Sequence, residues 1–87
     1  VKPGEDLIIQ GIADLKEGRE TIHSLLVSIG ASRLRDAGID VPENEFPDPE
    51  HRLYVLLNRE DSDAAHSRYN ALIRRLVSFE HAAECGL

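Results

Sequence analysis

The sequence predicts an all-α fold: one domain spanning residues 1–87, built as a four-helix bundle with two long and two short helices. Apolar residues recur at three- and four-residue spacings through most of the chain. Single glycines and prolines punctuate it at helix-sized intervals. Trp and Met are absent and only Phe46, Tyr54, Tyr69 and Phe79 are aromatic, so the core must be Leu, Ile, Val and Ala. A chain of 87 residues buries about 60 to 65% of the surface it exposes unfolded, which leaves it marginal alone and favours burial of a further face against a partner.

The first helix is expected from Glu5 to Glu17, with Leu7, Ile8, Ile12 and Leu15 on one side and Gly18 as its C-terminal cap. The second runs from near Thr21 to Ala37 and ends on Gly38, with Ile39 folding back to close a Schellman motif. Leu25, Ile29, Ile22 and Leu26 form one stripe on it, and Val27, Gly30 and Leu34 a second. Such wide apolar coverage marks a central helix or a dimer interface, and Ser28, Gly30, Ala31 and Ser32 allow another helix to pack closely. His23 falls on the rim of the second stripe, where a hydrogen-bonded boundary role is expected.

Residues 39–48, IDVPENEFPD, form the one long connection, with Pro42 and Pro47 excluding helix and Phe46 expected to plug the core. The third helix starts with Asp48 as N-cap and Pro49 at its first position, and runs to Arg59 with Leu53, Leu56 and Leu57 inward and Tyr54 near the edge. Asp61, Ser62 and Asp63 supply the next cap and first turn. The last helix then extends unbroken to Glu84, with Ala65, Tyr69, Leu72, Leu76, Phe79 and Ala83 as its inward seam. These two helices, 21–37 and 63–84, are expected to pack as the main pair.

Charge is distributed unevenly. The net charge is −6, and residues 36–50 carry all of it: Asp36, Asp40, Glu43, Glu45, Asp48 and Glu50 with no Lys or Arg. Residues 66–79 hold Arg68, Arg74 and Arg75 with no acid, so an internal or intersubunit pairing of the two segments is expected. A pI near 5.1 does not favour a nucleic-acid partner.

The candidate functional residues lie on the last helix. Ile73 and Val77 widen its seam, and beyond them His66, Asn70, Arg74 and His81 fall within about 80° of arc. That shoulder is where a neighbouring helix or second subunit should arrive, either as an interhelical hydrogen-bond set fixing register or as a binding site. Arg68 and Arg75 are expected on a solvated back. Arg74, followed by six residues and then His81, resembles the Arg-His motif of the HEPN family of helical ribonucleases. That resemblance implies a dimer in which the arginine holds an RNA phosphate and the histidine transfers a proton near neutral pH.

Other chemistries find less support. His81 and Cys85 are four apart with Glu84 nearby, but His23, His51 and His66 are scattered and complete no zinc set, so neither metal nor cofactor is expected. No phosphate-binding glycine loop, nucleophile elbow or carboxylate pair occurs. The lone Cys85 gives no sign of an oxidising compartment and no apolar run is long enough for a membrane, so cytoplasm is the expected location. The expectation is a small non-catalytic helical interaction or regulatory protein, acting as a homodimer or by binding another protein. The alternative is a nucleic-acid-binding or RNA-cleaving helical dimer that uses Arg74 and His81.

Overall fold

The computed structural model describes residues 4–85, which form five α-helices and no strand. They are α1 (Glu5–Lys16), α2 (Ile22–Ile29), α3 (Ala31–Asp36), α4 (Pro49–Glu60) and α5 (Ala65–Glu84). The two glycine stops are built as the sequence predicts. Gly18 and Gly38 take φ of 72° and 90°, and each closes a Schellman motif: Arg19 N–H donates to Asp14 O, and Ile39 N–H to Leu34 O, both at 2.9 Å. Thr21 caps α2 through a reciprocal pair, its hydroxyl accepting from Ser24 N–H at 3.1 Å while Ser24 Oγ accepts from Thr21 N–H at 2.8 Å.

The 21–37 helix is not one rod but two, divided at Gly30. Hydrogen bonding continues across the division, from Gly30 N–H to Leu26 O and from Leu34 N–H to Gly30 O, so it is a bend and not a loop. The bend coincides with the closest approach of α5: a Cβ on Gly30 would lie 2.6 Å from Glu80 Oε2 and 2.9 Å from Leu76 Cδ1. The first turns of the later helices also differ from expectation. Asp48 holds the N-cap position in a left-handed conformation (φ 49°) with no side-chain bond to the helix. Asp61 accepts from Asp63 N–H instead of capping α5, which begins a turn later at Ala65.

Packing departs from the expected main pair. The most extensive contact of α2 is with α1, followed by α4, and α5 meets it along a shorter line. Gly11 explains the first: a Cβ there would collide with the backbone carbonyl of His23 and with Val27 Cγ2, so α1 crosses α2 at backbone distance. Ile8, Leu15, Leu25, Leu26, Val27, Leu34, Leu53, Leu57, Leu76 and Phe79 form the core. The second stripe of the central helix, Val27, Gly30 and Leu34, is therefore consumed internally and offers nothing to a partner.

The 39–48 connection is tied down at many points. Val41, not Phe46, is its buried plug, at 4% exposure. Phe46 is half-buried beneath the Arg52 guanidinium (5.7 Å), and its N–H donates to Ser28 Oγ. Arg35 bonds Val41 O, Pro42 O and both carboxylate oxygens of Glu45, while Asn44 Nδ2 donates to Leu15 O. The acidic segment thus pairs with α3, and the expected pairing with the arginines of α5 does not form: Arg68 meets Glu60 and Arg75 meets Asp6.

Gly11→Ala is expected to destabilise the protein by about 1 to 3 kcal/mol, because the obstruction is backbone that cannot repack. Gly18→Ala, with open space around it, should cost only the left-handed backbone strain of about 1 to 2 kcal/mol. Urea titrations of both variants check the ranking.

Candidate functional site

α5 is a single 20-residue rod, and its faces are not covered as the sequence suggests. His66, Asn70, Arg74 and His81 do share one side, but all four are exposed. The one bond among them is local, Asn70 Nδ2 lying 3.2 Å from His66 Nε2 one turn back. α3 reaches that side only near the end of α5, where Arg33 meets Glu84, and none of the four joins it, so the expected interhelical hydrogen-bond set is absent from the described residues. The opposite shoulder faces a neighbour as well. Ala82 and Phe79 are buried, Arg68 is half-buried and Arg75 exposed, and the two arginines, solvated as expected, also border a cleft.

That cleft separates the start of α2 from the middle of α5. It is an open groove of about 280 Å³ lined by Ile22 and His23 from α2 and by Arg68, Ala71, Leu72 and Arg75 from α5. Its shape follows from the two glycines. α5 touches α2 at Gly30, through Leu76 and Glu80, while α1 has taken the other side of α2 at Gly11 and His23. Toward Ile22 the two helices diverge. Ile22 and Leu72 stay only partly buried along that opening.

The wall carrying Ile22 and His23 is held by a polar node. Asp14 is nearly buried and accepts from Arg19 (2.9 Å), Thr21 Oγ1 (2.7 Å) and Gln10 Nε2 (2.9 Å). It joins the end of α1, the turn and the α2 cap in one carboxylate. The Arg19 hydrogen bond, then that of Thr21, holds its carboxyl below the ordinary range. Sequence reading missed this residue, since an acid in the last turn of an amphipathic helix gives no sign of burial.

Glu80 is a second buried acid the sequence did not reveal, 3% exposed, with Arg33 NH1 3.3 Å from Oε1. Burial pushes its carboxyl up, and Arg33 only partly offsets that. Arg33 is itself shared with Glu84, which it meets at 3.0 Å. Glu80 lines neither the α2–α5 groove nor a second, more polar cleft of about 290 Å³ beside α4, where Glu20, His51, Arg52, Val55, Leu56 and Arg59 meet. In that second cleft Arg52 is already clamped by Glu20, at 2.6 and 2.8 Å. Among the described residues no group of three His, Cys, Asp or Glu converges as a metal set, and no helix is long and apolar enough to cross a membrane.

Comparison with protein-family models, with characterised proteins and with solved structures finds no match to this chain.

The two buried acids should give opposite pH signatures. The Asp14 carboxyl is depressed in the fold, so its contribution is present above its ordinary value of 3.8 and lost as pH falls through the folded value. Asp14→Asn should therefore lower the melting temperature near neutrality and converge on the parent in acid. The Glu80 carboxyl is raised, so its contribution is complete below the ordinary 4.5 and lost as pH rises through the folded value. Glu80→Gln should then melt higher than the parent near neutrality, the gap closing as pH approaches 4.5. Thermal melts across pH check both.

Proposed function

We propose that this protein is a small non-catalytic interaction module and that the groove between α2 and α5 receives a segment of a partner protein. One observation carries the reading: Ile22, Ala71 and Leu72 line a cleft that is open among the described residues. At about 280 Å³ the groove falls just short of the roughly 300 to 1,000 Å³ of small-molecule pockets and suits one or two anchoring side chains. Its walls are rigid. α5 is unbroken, and the start of α2 is fixed by the Thr21 cap and the Asp14 node. A preformed wall lowers the ordering cost of association, which matters for a surface this small.

A second reading rests on the outer face of α5. Arg74 and His81 are both exposed there, two turns apart, and Arg74 forms no salt bridge among the described residues. An RNA-binding or RNA-cleaving dimer would use that pair, with His66 and Asn70 beside it. A mobility-shift and cleavage assay at low salt, in which Arg74→Ala must abolish any effect, decides this reading.

The groove is tested by titrating the labelled protein with amphipathic helical peptides of acidic, neutral and basic character and following its amide resonances. Binding should move Ile22, Ala71 and Leu72 first. Leu72→Arg, once the amide spectrum of the free variant shows the fold kept, should weaken binding about tenfold or more. If none of the three peptides moves those resonances, the groove is not a docking surface. Light scattering reports whether a second copy of the chain occupies it instead.

A further inference from the structure

We infer that the occupant of the α2–α5 groove is an acidic amphipathic helix whose carboxylates lie two turns apart on either side of an apolar anchor. This rests on the groove being a protein-docking surface and adds the chemistry of its partner. Arg68 and Arg75 stand seven residues apart on α5 and both border the groove, with Ala71 and Leu72 between them. Seven residues of helix rise about 10.5 Å. His23 stands across the cleft as a further hydrogen-bonding side chain, and no carboxylate is among the lining residues. In a chain of net charge −6 this is a local concentration of positive charge around an apolar floor.

The arginines are available. Arg68 is held by Glu60 at 2.8 Å and Arg75 by Asp6 at 3.8 Å, but every side chain in those pairs is at least 40% exposed. Exposed pairs hold weakly and exchange readily. A guanidinium on the lip of an apolar cleft offers a planar fork that receives a carboxylate through two hydrogen bonds.

The spacing selects a helix over an extended strand. A helical partner places residues seven apart on one face with the same rise of about 10.5 Å, matching the arginines. An extended partner reaches about 10 Å at a separation of three residues, which puts the two side chains on opposite faces. Separations of two or four keep one face but span about 7 or 13 Å. The lining also lacks the Phe, Tyr and Trp side chains on which successive bases commonly stack.

The experiment measures binding of the full chain to four fluorescent peptides. The first carries Glu at positions seven apart around a leucine, the second replaces both Glu by Gln, the third moves the acids four apart, and the fourth is the first interrupted by proline. The first should bind tightest, with the others weaker by about tenfold. Its advantage over the Gln peptide should shrink as salt is raised. Arg68→Gln and Arg75→Gln, both at surface positions, should reduce the first peptide toward the level of the second and leave the second unchanged. Equal binding of the Glu and Gln peptides, with shifts at Ile22 and Leu72, would overturn the acidic partner while leaving the groove intact. Equal binding of the acids at four and seven would overturn the spacing, and equal binding of the proline peptide the helical form. Failure of every peptide would end both readings.

Discussion

The closest constraint in this molecule is the crossing of α1 over α2 at Gly11, where the carbonyl of His23 occupies the space a side chain would need. Backbone-distance crossings are unforgiving, because backbone cannot choose another rotamer to make room. With α1 on one side of α2 and α4 on another, α5 comes in where Gly30, a second position without a side chain, admits Leu76 and Glu80. Two glycines on different helices thus divide the surface of α2 between its neighbours. The half of α2 near Ile22 is left with a helix on one side and a gap on the other.

Polar chemistry fixes this geometry rather than adding much stability of its own. Asp14 ties the α1 terminus to the α2 cap, so the crossing angle at Gly11 and the start of α2 are set together. At the other end, Ser28 donates to Ser24 O and accepts from Phe46 N–H, which attaches the long connection to α2 from below. Arg35 then gathers Val41, Pro42 and Glu45 into a closed loop. Its role is that of a strut, since one guanidinium satisfies two carbonyls that have no helix or sheet partner.

Local signals were legible in the sequence and distant ones were not. Gly18 announces a C-terminal cap and Gly38 a Schellman motif because the requirement for positive φ is met within a few residues. The α5 seam is equally legible: Ala65, Leu76 and Phe79 are buried as the period demands. Which shoulder of that seam meets a neighbour is a different matter, because a helical period fixes an axis of amphipathicity but not where the adjacent helix crosses it. His66, Asn70, Arg74 and His81 were placed together correctly on one face, yet Arg68 and Arg75 are the ones at the cleft. Ile73 and Val77 do widen the apolar arc on one side, and the burial of Ala82 and Phe79 widens it on the other as well. The charge partners failed for the same reason. Two oppositely charged segments invite pairing on paper, but Arg35 is ten residues from Glu45 and reaches it first.

That Arg35 captures only Glu45 of the acidic segment has an electrostatic consequence. Glu45 is neutralised by Arg35, but Asp36, Asp40, Glu43, Asp48 and Glu50 form no salt bridge among the described residues and stay close to or on the surface. An approaching anion therefore meets a repulsive field near these acids and an attractive one at guanidinium groups such as those of Arg68 and Arg75. Screening at physiological salt, with a Debye length of about 8 Å, removes most of the first and little of the second. The balance selects against extended polyanions, whose charges lie mostly outside the rim, and for a ligand that concentrates a few carboxylates at two points. An apolar anchor between those points is then needed for affinity, because exposed ion pairs alone supply little.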